Sequence, residues 1–165
     1  MKKVLITASV LVLLALSAVA QKKGQAGRRE TQIAENWIAA WNSHNAEKVI
    51  PLFTSDVMYE DVTFGAANHG QAELRKFALD FFEAVPDMKF ELINSSVEGR
   101  HGSIEWVFSG TDKGIYKTGK KFTVRGVSIV NLDKEKISRN LDFYDSATIM
   151  RQVGLLPATE TAPKN

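Results

Sequence analysis

The sequence predicts an α+β domain in which three N-terminal helices pack on one face of a curved antiparallel sheet. Two observations carry that prediction. Apolar residues recur at three- and four-residue steps in the segments before Pro86, and from Met88 to Tyr144 they alternate with a period of two. Breaks rich in turn residues, at 98–102, 110–119 and 132–135, divide the alternating part into four strands.

Taken in order, Thr31 can cap a first helix whose stripe is Ile33, Ala34, Trp37, Ile38 and Trp41. Asn45 caps a short second helix that Pro51 stops or kinks. Asp56 to Val62 reads as a short strand, and Phe64 to Gly70 as a loop. Leu74, Phe77, Ala78, Phe81 and Val85 mark a third amphipathic helix that Pro86-Asp87 terminates. The strands are Met88 to Val97, Ser103 to Ser109, Lys121 to Asn131 and Ile137 to Tyr144. A last helix, Ser146 to Gln152, is capped by Asp145 and stopped by Gly154.

Residues 1–20 carry the features of a cleavable export signal. Lys2 and Lys3 precede an apolar run from Val4 to Val19, and Ala18-Val19-Ala20 is a small-x-small cleavage site. The run is shorter than the ~20 strongly apolar residues of a spanning helix, so no membrane attachment is expected after cleavage. The expected plan is therefore a signal peptide at 1–20, a flexible leader at 21–30, one domain at 31–157 and a disordered tail at 158–165. The expected location is periplasmic or secreted.

Cleavage after Ala20 lowers Lys plus Arg from 21 to 19, equal to the 19 Asp plus Glu. A mature chain of zero formal charge gives no reason to expect a nucleic-acid partner. With no cysteine, neither disulfides nor thiol chemistry contribute, and the three histidines, at 44, 69 and 101, lack ligand spacing for a metal. No phosphate-cradling loop or nucleophile elbow is present, so no cofactor is expected.

The order helix, helix, strand, long helix and four long strands resembles the cone of the nuclear-transport-factor-2-like (NTF2-like) superfamily. AWNSHNAEKVIPLF, DVMYEDV, FFEAVPD, GKKFTVRGVSIV and LDFYDSATIMRQVGLLP, within Glu35 to Pro157, resemble its SnoaL-like, polyketide-cyclase-like branch. The resemblance implies a conical pocket between sheet and helices, and a homodimer through the outer sheet face. It leaves the chemistry open among cyclases, isomerases, hydrolases and plain binders.

Alternation places Ser138, Asn140, Asp142 and Tyr144 on one face of the last strand, and the resemblance points that face into the cone. A carboxylate among aromatics loses solvation, so Asp142 is the first candidate acid/base. The second is Asp61, in Tyr59-Glu60-Asp61, which resembles the base of ketosteroid isomerase. That enzyme's oxyanion tyrosine and partner acid would fall at Trp37 and Ser128, so the isomerase set is incomplete. The epoxide-hydrolase set is incomplete too, because Arg125 is followed by Gly126-Val127 and alternates to the outer face. In a cyclase reading Asn140, Tyr144 and His69 would donate hydrogen bonds to an enolate, while Trp37, Trp41, Tyr59, Phe82, Trp106 and Ser128 would line the ligand cavity. Each aromatic can equally be plain core. The expected function is a cofactor-independent protein for a small apolar or oxygenated ligand, and the alternative is a binding or scavenging module without turnover.

Overall fold

In a computed structural model the described residues are 32–158. The signal peptide, the leader, the Thr31 cap and the tail from residue 159 lie outside them. The elements run α1 (32–42), α2 (Ala46–Val49), a 3-10 turn (Ile50–Leu52), β1 (Phe53–Asp61), β2 (Ala66–His69), α3 (Gly70–Ala84), β3 (Lys89–Glu98), β4 (His101–Thr111), β5 (Lys121–Asp133), β6 (Lys136–Tyr144) and α4 (Ser146–Gln152).

The six strands form one sheet in the order β2-β1-β6-β5-β4-β3. All neighbours are antiparallel except β1 and β6, which run parallel. The sheet is therefore mixed rather than antiparallel. The last strand of the meander is laid beside the first strand of the chain, running in the same direction. A second correction concerns the helices: three of the four come early, but α3 is separated from α1 and α2 by two strands. A third is β2, which occupies part of the expected loop. Ala66-Ala67-Asn68-His69 has no β-branched or alternating apolar pattern, and it is a strand because it pairs with Met58 to Asp61.

Helix α1 buries Ala34, Trp37 and Trp41 of the expected stripe together with Ala40, while Ile33 and Ile38 are only partly buried at its edges. Asn42, at its end, clamps edge strand β3 through both backbone groups of Phe90, donating to its carbonyl at 2.8 Å and accepting from its N–H at 2.7 Å. This pairing satisfies edge groups that would otherwise meet solvent. Trp37 packs against Trp41, Phe90 and Trp106, and Phe90 continues the cluster to Phe108. Truncating one such buried ring costs about 3–5 kcal/mol. The aromatic layer between α1, α3 and the sheet thus holds the helices on the inner face. Asn45 and Asp145 cap α2 and α4 as their positions suggest.

Candidate functional site

Strand register assembles the site. On the inner face, Asp61 of β1 lies opposite Asp142 of β6, which lies opposite Ser128 of β5. One row across three strands therefore holds two carboxylates and a hydroxyl. The adjacent row places Asn140 beside Tyr59. Asp61, Ser128, Asn140 and Asp142 are all buried. Polar groups gathered so deeply are stabilised only if they bond one another.

They do so in a crossed arrangement. Tyr59 on β1 donates its hydroxyl to Asp142 on β6, and Tyr144 on β6 donates to Asp61 on β1 at 2.8 Å. Asp142 also accepts from the Ser128 hydroxyl at 2.6 Å and the Asn140 amide at 2.7 Å. The Trp106 indole N–H donates to Ser128 at 2.9 Å, orienting that hydroxyl toward the carboxylate. Asp61 accepts a backbone bond from the Phe64 N–H at 3.2 Å. Three buried polar atoms here find no partner among the described residues: the amide oxygen of Asn140 and the indole nitrogens of Trp37 and Trp41.

Gly126 makes this possible. It faces Trp106 across β4 and β5, and a Cβ there would stand 2.2 Å from the indole ring and 2.8 Å from the Phe143 carbonyl oxygen. Only glycine lets the Trp106 ring lie flat enough on β5 to reach Ser128.

Burial pushes the Asp142 carboxyl up to about 6, against the pull of its three hydrogen bonds and with the help of the nearby Asp61 charge. Burial raises Asp61 too, opposed by its bonds to Tyr144 and the local backbone. Tyr59 and Tyr144 are held well above the ordinary phenol range, by burial first and then by the carboxylates. Both stay protonated and act as donors only. The arrangement can accept or release one proton near neutral pH at a carboxylate pair whose donors are neutral.

The cavity differs from the expected open cone. Beside the carboxylates, Trp41, Tyr59, Phe77, Phe81, Phe90, Trp106, Phe108 and Tyr144 close in until about 10 Å³ remains, room for at most one water. The usable space is at the mouth, a pocket of about 210 Å³ lined by Asp61, Phe64, Phe77, Asp80, Phe81, Ala84 and Ile115. Asp61, Phe77 and Phe81 belong to both spaces, whereas Asp142 lines only the inner one.

The structure thus brings together Asp142, Asp61, Trp41, Tyr59, Trp106, Ser128, Asn140 and Tyr144. It does not bring in His69, which is exposed at the start of α3, where its backbone N–H binds Glu73. Trp37 and Phe82 sit behind the lining, Trp37 against Phe90 and Trp106, and Phe82 stacked on His44. Phe77 and Phe81, one α-helical turn apart on α3, also line the site, and in the sequence they appear only as part of that helix's apolar stripe. Their i, i+4 spacing was the available signal, and Phe82 points about 100° around the helix from Phe81. Arg125 lies on the outer face, paired with Glu105.

Residues 34–140 match the model of the SnoaL-like domain. The chain belongs to the SnoaL-like family. Among its relatives is the cyclase aurE of Calcarisporium arbuscula, 29% identical over 111 residues, which span 66% of this chain and 82% of that protein. A hypothetical protein with a ketosteroid-isomerase-like fold from Catenulispora acidiphila, solved in complex with trimethylamine, superposes with a TM-score of 0.70 at 25% identity, covering 75% of this chain and 93% of its own. TsrD from Streptomyces laurentii superposes at 0.67 with 22% identity, over 76% and 95% of the two chains, and shares the fold. Among the described residues the SnoaL-like fold is a six-stranded curved mixed sheet with four helices, and small-molecule chemistry of the cyclase or isomerase kind is what the family suggests.

Proposed function

We propose that this chain is an exported, cofactor-independent protein that moves a proton on a small, apolar, oxygenated ligand bound at the mouth pocket. The observation that carries the reading is a buried carboxylate, Asp61, lining both a ligand-sized apolar pocket and the inner space shared with Asp142. Asp61 takes a proton from carbon beside a ligand carbonyl and returns it at a second position. Asp142 lies behind it, and Tyr59 and Tyr144 remain neutral donors throughout. The raised carboxyls suit general acid/base work near neutral pH. The cyclase relative and the fold support this class of chemistry. The apolar run from Val4 to Val19, with the small-residue cleavage site after it, supports export. Ile93, Ile129 and Phe143, exposed on strands of the sheet, support a homodimer through its outer face.

The test is hydrogen–deuterium exchange at the α carbon of cyclohexanone, a ketone small enough for the pocket, followed by mass spectrometry. The expected result is accelerated exchange that Asp61→Asn abolishes while the fold persists by circular dichroism. Exchange equal to buffer would remove the catalytic reading.

A second reading, a binding module without turnover, is favoured by the filled inner cone and its unpartnered donors. A tightly held compound co-purifying from the native source, released unchanged, would select it.

A further inference from the structure

We infer that the mouth pocket selects ligands carrying an organic ammonium group. The inference rests on reading this pocket as the ligand site, and it adds the charge of the ligand.

Three phenyl rings, Phe64, Phe77 and Phe81, line about 210 Å³ together with Ala84 and Ile115, so the walls are almost wholly apolar. A neutral hydrocarbon would be content with those walls alone. Two carboxylates interrupt them, Asp61 at the inner end and Asp80 on α3. Asp80 is shared with Lys76, an exposed pair one helical turn apart that screens much of its charge. Asp61 has no such relief. Its hydrogen-bond partners are a phenol and a backbone amide, both neutral, and its neighbour across the strands is the second carboxylate, Asp142. Among the described residues, no lysine, arginine or histidine lines either space. Two buried carboxylates without a cation are an unbalanced charge, and an incoming cation restores the balance.

The rings favour one kind of cation. An alkylated ammonium sheds water easily, fits against phenyl faces and gains from their negative π-surface, whereas a hydrated metal ion would keep its shell and find too few oxygens. Phe64 is 43% exposed and reaches over the opening from the turn after β1, near Tyr116 and Tyr144, at ring separations of 6.1 Å for each. It is placed to cover an ammonium group seated against Asp61.

The experiment uses choline and its neutral carbon isostere, 3,3-dimethylbutan-1-ol, titrated calorimetrically into the protein. Choline is expected to bind at least about tenfold more tightly. Asp61→Asn should erase that preference, and Phe64→Leu, which keeps an apolar wall but removes a π-face, should weaken choline several-fold and the alcohol much less. Equal affinity for the two compounds, no binding of either, or a preference that survives Asp61→Asn would overturn the inference. Cyclohexanone exchange that persists alongside such a failure would leave the proton-transfer reading standing, so the two proposals fail separately.

Discussion

Asp112 and Asp142 are both closed off from solvent, at 0% and 6% exposure, yet their carboxyls shift in opposite directions. Burial raises each. At Asp112 the opposing bonds win: the N–H groups of Tyr116, Lys117 and Thr118 and the Thr118 hydroxyl all point at it, folding the turn after β4 around one carboxylate. At Asp142 the three donors are side chains, a second carboxylate lies alongside, and a whole layer of helices lies above, so burial wins. Backbone donors cannot turn away, and a turn wrapped around an anion is a structural device. Side-chain donors beneath a packed layer instead leave the anion uncomfortable, which is the condition for proton chemistry.

The largest effect that would break this contrast is at Asp112. Asp112→Ala strands three part-buried N–H groups, those of Tyr116, Lys117 and Thr118, and urea unfolding should show a loss of about 3 kcal/mol. A loss under about 1 kcal/mol would mean that the turn holds itself without the carboxylate. Lys113 and Gly114 donate to the Ala84 carbonyl at the end of α3, so the same substitution should also loosen the rim carrying Ile115.

Next comes pH. The native state holds the Asp142 proton more tightly than the unfolded chain, about 6 against 3.8. Its contribution to stability is therefore fully present below pH 3.8 and is lost as pH rises through 6, by about 3 kcal/mol. Asp112 runs the other way, its contribution disappearing as pH falls below the ordinary carboxylate range. Urea midpoints measured from pH 4 to pH 7 should fall in the wild type and fall less steeply in Asp142→Asn, where Asp61 still titrates. A parallel slope in the variant would assign the effect to another group.

The smallest effect sharpens the role of the crossed tyrosines. Tyr59→Phe removes one stabilising donor from the Asp142 carboxylate, and carboxyl-carbon NMR should show its midpoint rising by about one unit. An unchanged midpoint would mean that Ser128 and Asn140 carry the hydrogen bonding alone.

Local signals made much of this legible in the sequence. Asp145 and Gly154 bracket α4 because capping needs only adjacent residues, and alternation put Asn140, Asp142 and Tyr144 on one face of the last strand, which the family resemblance then pointed into the cone. What escaped depends on distant partners. β2 exists through its pairing with β1, and the parallel β1–β6 contact cannot be read from either strand's own pattern. The narrow inner space depends on rings from α1, α3 and four strands meeting at once. Asp112 escaped for another reason: its four donors lie only four to six residues on, but an irregular turn has no period from which their convergence could be read. His69 was placed by its position before a helix, and its exposure follows from an edge strand that the sequence pattern did not announce.

The crossed Tyr–Asp bonds each join residues 83 positions apart, on the first strand and the last of the long meander. Such a contact closes a large loop, so it is expected late in folding, after the helices and the local hairpins have formed. Until β6 arrives, Asp61 and Asp142 are separate, hydrated anions with ordinary acidity. The raised carboxyls are thus a property of the completed chain, and the uptake of a proton near pH 6 would report the moment when the last strand docks.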